Sequence, residues 1–190
     1  VLHGFGQLTA YFIRNFASLN DGSRLIVAPE ALNRFYLDNT TYHGSPQARV
    51  GATWMTREDR QAEIDDYVNY LDLLHHQIAA QLGGAKPRTV VLGFSQGVAT
   101  ACRWLARGTS RADTLVLWAG PMPIELDAAA SAPLRPMRII RVLGRKDQIG
   151  SPEAIRAEDA RYAAMNITAE LVQFDGGHEI DEAALLALRV

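Results

Sequence analysis

Three residues of this chain, Ser95, Asp147 and His178, could together carry out nucleophilic acyl transfer. A serine hydroxyl is a weak nucleophile near neutral pH, so it needs a base, and the base needs a group that orients it. Ser95 lies in Gly93-Phe94-Ser95-Gln96-Gly97, after the apolar run Thr89-Val90-Val91-Leu92 and ahead of a helical pattern. This is G-x-S-x-G in a strand–turn–helix setting. So sharp a turn crowds the positions two before and two after the serine, where Gly93 and Gly97 have no Cβ to clash. Downstream of Ser95 the only histidine is His178, on the turn Gly176-Gly177-His178. Serine, acid, histidine is one of the known chain orders of a triad. Asp147 follows the preceding strand pattern and is the expected acid. Asp175 is too close in sequence to His178 to support its ring from behind, and Glu125 and Asp127, after an earlier strand, are the reserve.

In that arrangement His178 takes the Ser95 proton during attack on an acyl carbonyl, and Asp147 fixes the tautomer and stabilises the imidazolium. The oxyanion needs two donors. One is the backbone N–H of Gln96, and the other should come from the loop after the first strand, His3-Gly4-Phe5-Gly6, where the Phe5 amide is expected. Each such donor is typically worth ~2.7–4 kcal/mol in the transition state. His3 reads as a residue shaping that loop. Gly4-Phe5-Gly6 also suggests a dinucleotide fingerprint, but Thr9 fills its third glycine position, so the pattern is incomplete.

Strands and helices must hold these groups, and the chain alternates between them. Val1-Leu2 reads as the end of a strand, so strand residues are expected ahead of Val1. Leu8 to Leu19 is helical, with Leu8, Phe12, Phe16 and Leu19 on one face. Arg24 to Ala28 reads as a short buried strand stopped by Pro29. Glu30 to Met55 has no periodicity and is expected as an ordered, pocket-shaping loop carrying Phe35, Tyr36, Tyr42 and Trp54. Thr56 could cap a long helix whose face is Ile64, Val68, Leu71, Leu74, Ile78 and Leu82, ended by Gly83-Gly84. After the serine turn come strands at Thr114 to Ala119, Met137 to Leu143 and Ile167 to Phe174. A helix is expected from Ser151-Pro152-Glu153 to Met165, and a closing one from Glu179 to Leu188. Continuous apolar strands separated by helices predict a mainly parallel sheet covered on both faces. Ligands bind such a sheet beyond the carboxyl ends of its strands, where all the residues singled out above stand.

The chain has 190 residues, a formal net charge of −2 and one cysteine, Cys102. Its length suits a single α/β domain spanning 1–190. The charge gives no support for a nucleic-acid partner, and one cysteine excludes an intrachain disulfide or a cysteine-based zinc site. His75-His76 are adjacent on a helix and cannot converge on one metal, and His43 has no partner in its loop. No metal and no cofactor is expected. No transmembrane stretch or signal-peptide pattern is visible, which points to the cytoplasm.

With these residues placed, the chain resembles the phospholipase/carboxylesterase family of α/β-hydrolases, which includes acyl-protein thioesterases. The matching stretches are Leu2-His3-Gly4-Phe5-Gly6, Gly93-Phe94-Ser95-Gln96-Gly97, Gly176-Gly177-His178-Glu179-Ile180 and, as in the bacterial esterase branch, Trp54-Met55-Thr56-Arg57-Glu58-Asp59-Arg60. The resemblance implies an α/β-hydrolase fold, Ser95, Asp147 and His178 as the triad, and the Phe5 and Gln96 amides as the oxyanion hole. It also implies a small-molecule acyl ester substrate, with thioester and lysophospholipid as alternatives. The acid loop Gly144-Arg145-Lys146-Asp147-Gln148-Ile149-Gly150 is more basic than the family's usual form and lacks its proline. Phe5, Trp54, Met55 and Met122 are candidates for an apolar acyl pocket, unless the aromatics simply pack the long loop against the sheet. A catalytically silent receptor on the same fold is the rival from another class.

Overall fold

The computed structural model describes residues 1–38 and 45–190; Tyr42 and His43 therefore lie outside the described residues. The first helix, α1 (Thr9–Phe12), tightens into 3-10 turns over Ile13–Leu19. Asn15 contributes to the change, because its side-chain amide donates to the Phe12 carbonyl at 2.9 Å and competes with the helical ladder. Arg24 to Ala28 is not the strand its apolar content suggests. The segment has no ladder among the described residues; the Val1 nitrogen donates to the Val27 carbonyl at 2.7 Å, and the Arg24 side chain donates to Asp21 and to the Val190 carbonyl. Apolar residues there have a surface to cover but, among the described residues, no neighbouring strand to pair with.

The aperiodic stretch from Glu30 to Met55 holds a hairpin, β1 (Asn33–Tyr36) against β2 (Val50–Thr53), antiparallel with Phe35 opposite Gly51. Strands this short, one of them Val-Gly-Ala-Thr, carry too little alternation to be read in advance. The hairpin clamps the loop after Leu2. Gly6 donates to the Ala52 carbonyl at 2.8 Å, and a Cβ on Gly51 would stand 2.4 Å from the Gly6 carbonyl oxygen. Helix α2 (Arg60–Gln81) starts later than the Thr56 cap predicts. Asp59 is left-handed at φ 45°, which breaks the helical run, and Thr56 Oγ1 accepts from the Glu58 amide at 3.2 Å instead of capping.

Next come β3 (Val90–Phe94), α3 (Gln96–Arg107), β4 (Thr114–Trp118), β5 (Arg138–Gly144), α4 (Pro152–Ala164), β6 (Ala169–Phe174) and α5 (Glu182–Ala187). Ser151 caps α4 through its hydroxyl, with Pro152 and Glu153 in the first turn as expected. Helix α5 begins at Glu182 and not at Glu179, because Asp181 accepts from the Ala184 amide at 2.7 Å and sets the start.

The four strands pair in parallel in the order β3-β4-β5-β6, and Leu2 adds a parallel bridge beside Gly93. Alternation along each strand sends side chains to two cores. Val91, Leu115, Leu117 and Ile139 pack with Ile64 of α2, Val98 and Cys102 of α3, and Tyr162 of α4. Leu92, Val116, Trp118 and Ile140 pack on the other face with Phe12, Phe16 and Leu185. The sheet is thus covered on both sides, and the four carboxyl ends open on a common rim. Among the described residues no helix is long and apolar enough to cross a membrane.

Candidate active site

Every strand of the parallel sheet delivers a piece of the site from its carboxyl end. At the end of β3, Ser95 adopts φ 54° and ψ −116°, a region that side-chain-bearing residues rarely enter. Strain of this kind costs about 1–3 kcal/mol and persists only where the surroundings fix it. They do so here. Ser95 donates its amide to the Trp118 carbonyl at 2.9 Å, and the Val98 amide closes the first turn of α3 on the Ser95 carbonyl at 3.0 Å. A Cβ on Gly93 would stand 2.3 Å from the Gly97 carbonyl oxygen, and one on Gly97 would stand 2.3 Å from that of Leu2. No residue but glycine fits either place.

Asp147, just past β5, and His178, past β6, are joined by a 2.6 Å contact between Oδ2 and Nδ1. The carboxylate is buried, with 8% of its side chain exposed, while the imidazole is 48% exposed and faces the rim. The other Asp147 oxygen, Oδ1, accepts from the Ile149 amide, which orients the carboxylate. The two loops are clasped to each other. Arg145 and Lys146 donate to the carbonyls of Phe174 and Gly176, each at 2.9 Å, and Lys146 Nζ meets Asp175 at 3.0 Å. A Cβ on Gly144 would lie 2.3 Å from the Gly177 carbonyl oxygen. Asp175 is thereby engaged with Lys146. Asp127 accepts from the amides of Ala129 and Ala130, and Glu125 is held by two arginines, so these reserve acids stand apart from the imidazole.

The loop after Leu2 reaches the nucleophile: a Cβ on Gly4 would stand 3.1 Å from Ser95 Cβ. Among the described residues the Phe5 amide donates no hydrogen bond. The Gln96 amide is the first N–H of α3 and has no intrahelical partner. The Gln96 side chain ties the serine turn to the hairpin, donating to Thr53 Oγ1 at 2.8 Å and the Met55 carbonyl at 3.0 Å. His3 is fully buried. It accepts from the Ala31 amide at Nε2, which leaves Nδ1 to donate to the Gly4 carbonyl. Burial pushes its pKa below the usual histidine value, in keeping with a neutral ring that shapes the loop.

Ser95 and His178 face one cavity of about 390 Å³, with Met122, Ile124 and Ile149 among its walls. No hydrogen bond joins Ser95 Oγ to the imidazole among the described residues; such bonds commonly tighten once substrate is bound. Of the expected pocket residues, Met122 lines this cavity. Trp54 does not: it is 1% exposed in the core, edge-on to Tyr67, with Nε1 donating to the His3 carbonyl at 2.9 Å. Met55 is also off the cavity wall, its sulfur 3.4 Å from Arg103 Nη1. Phe5 is exposed and stacks near Phe35 at 5.0 Å between centroids. The large aromatic Trp54 supports the loop and does not line the cavity. Sequence reasoning overlooked Arg60 and Arg103, which line the cavity beside Glu125. The available signal was the spacing of Gln96, Ala99 and Arg103 along one face of the helix after the serine.

A parallel sheet with a serine on a strained strand-to-helix turn, and a carboxylate-paired histidine after its last strand, defines an α/β-hydrolase. The chain belongs to the serine hydrolase family FSH1, whose sequence profile matches residues 1–185. Among solved structures it is similar to esterase PE8, at 19% identity and TM-score 0.62 over 100% of this chain and 90% of that one. A carboxylesterase from Mesorhizobium loti is similar at 14% identity and TM-score 0.72, over 99% and 84%. Acyl-protein thioesterase 2 from Zea mays is similar at 16% and 0.60, over 98% and 88%. No curated protein sequence matches the chain. These neighbours share the fold, in line with the resemblance to the phospholipase/carboxylesterase family.

Proposed function

We propose that this serine hydrolase cleaves carboxylic esters of short to medium acyl chain through a covalent acyl-enzyme. The observation that carries the reading is the convergence of Ser95 and the Asp147-paired His178 on one cavity. His178 accepts the Ser95 proton at Nε2 as Oγ bonds to the acyl carbon, and the carbonyl π electrons move onto oxygen. The Phe5 and Gln96 amides hold that oxyanion. Its collapse breaks the bond to the alcohol oxygen, which leaves with the proton from His178. Water then attacks the acyl-enzyme with His178 as base, and the acid departs as Ser95 regains its proton. Asp147 keeps Nδ1 protonated throughout. A cavity of about 390 Å³ supports a substrate of modest size.

The test compares the protein with Ser95→Ala on nitrophenyl esters from acetyl to palmitoyl, beside one acyl thioester. Ser95→Ala is expected to lower kcat on the order of 10⁶-fold. Turnover should fall as the acyl chain lengthens. A maximum at long chains or on the thioester would move the assignment to a lysophospholipase or thioesterase, and retention of most activity by Ser95→Ala would sink it.

A further inference from the structure

We infer that Arg60 and Arg103 form an anion subsite in the cavity beside Ser95, and that the ester cleaved there carries a carboxylate a few carbons from its carbonyl. The assignment rests on the hydrolase reading above. Both guanidinium groups converge on a single acceptor: Glu125 Oε1 takes Arg103 Nε at 2.6 Å and Arg60 Nη2 at 2.8 Å. Burial opposes the charge on Glu125, yet the two arginines hold its pKa down to about 2. The carboxylate is therefore ionised at neutral pH and cancels one positive charge. The other remains.

The residual charge has a defined place. Arg103 has only 7% of its side chain exposed, and Arg60 stands at the first position of α2, more open. A guanidinium presents five N–H donors in a fixed fork. Arg103 spends Nε on Glu125 and directs Nη1 to Met55 Sδ and Tyr67 Oη. Among the described residues, Nη2 of Arg103 and both Nε and Nη1 of Arg60 donate to nothing. Among the described residues, the other charged or titratable groups on the cavity wall are Glu125 and His178. Met122, Pro123 and Ile149 on the same walls bring no charge to balance the cation. Arginine's planar fork matches a carboxylate.

The distance suits a short diacid. From Ser95 to Arg103 the α3 axis rises about 12 Å, at ~1.5 Å per residue. Helical side chains lean toward the N-terminus, which brings this guanidinium back toward the nucleophile. Succinyl to adipyl half-esters are therefore the chain lengths to try.

The closing experiment measures kcat/KM for nitrophenyl hydrogen glutarate against nitrophenyl pentanoate, using the whole chain. The anionic ester is expected to win by about 10- to 100-fold, mainly through KM. Added salt should narrow the ratio. Arg60→Gln should lower the ratio about tenfold, and Glu125→Gln, which frees both forks, should raise it. A parallel pair, the acetate esters of 4-hydroxybutanoate and of butanol, tells whether the carboxylate rides on the acyl or the alcohol part. Should a variant fail to fold, the wild-type ratios and their salt dependence decide. Ser95-dependent turnover with neither anionic ester preferred overturns the subsite and leaves the hydrolase reading standing. If no ester turns over, the hydrolase reading fails by itself, and calorimetry with glutarate decides the subsite: saturable binding weakened by salt supports it, and none overturns it.

Discussion

Ser95 pairs an unfavourable backbone with a useful side-chain direction, and its neighbours explain why the strain survives. Gly93, Gly97 and Gly120 each face backbone or side-chain atoms closer than 3 Å from where a Cβ would sit. This much was legible in the sequence, because tight packing around a turn leaves glycines at fixed offsets. That Asp147 and His178 meet was legible for a similar reason: each follows a strand, and parallel strands end on the same rim. Trp54 and Met55 were misplaced, since side-chain type says nothing about which side of a loop faces the core. In the proposed mechanism the short contact from Asp147 to Nδ1 places the proton on that nitrogen and leaves Nε2 to act as base. Asp147→Asn keeps the shape but can donate to Nδ1, which favours the wrong tautomer. We expect kcat for the best nitrophenyl ester to fall about 10⁴-fold, with little change in melting temperature. A loss under tenfold would remove Asp147 from the proposed triad.

The apolar runs of β3, β4 and β5 were read correctly, whereas the β1–β2 hairpin and the start of α2 were not. The periodic stripe of α2 and the apolar runs of β3, β4 and β5 encode their own burial. The β1–β2 hairpin and the unpaired Arg24–Ala28 segment depend on neighbours that no local pattern announces. One such contact joins α2 to the end of α3. Asp72 accepts from Trp104 Nε1 at 2.8 Å, from the Thr109 amide and hydroxyl at 2.6 and 2.8 Å, and from the Ser110 amide at 3.0 Å. Burial works against its charge, but the donors on Ser110, Thr109 and Trp104 outweigh it and hold the carboxyl well below the usual aspartate range. Asp72→Ala should destabilise the protein by about 2–3 kcal/mol in urea titration at pH 7, since four donors lose a charged acceptor. The folded pKa is depressed, so this stabilisation is fully present above the unfolded value near ~3.9 and is lost as pH falls through the folded value. The stability gap between wild type and Asp72→Asn should therefore shrink below about pH 4. A gap unchanged from pH 7 to 3 would show that charge at Asp72 is not what binds the two helices.

At the scale of the molecule, the sheet is the shared wall of two cores. Along β4, Leu115 and Leu117 face α2 and α3, while Val116 and Trp118 face α1 and α5. The serine turn draws on both sides: Val98 and Cys102 anchor α3 in one core, and Phe94 anchors the end of β3 in the other. Removing packing from either face must loosen the same strands. We propose on this basis that the chain unfolds as a single cooperative unit. Leu117→Ala and Ile140→Ala, both fully buried and on opposite faces, serve as the probes. Each is expected to cost about 2–5 kcal/mol, and so to lower the melting temperature by roughly 5–15 °C. The decisive readout is the shape of the transition. Calorimetric and van't Hoff enthalpies should agree, and far-UV circular dichroism and tryptophan fluorescence should report one midpoint in wild type and in both variants. Two resolved transitions, with each substitution moving only one of them, would mean that the cores melt independently. The site would then be expected to fail with the first of them, because its serine and its histidine hang from different strands of the same sheet.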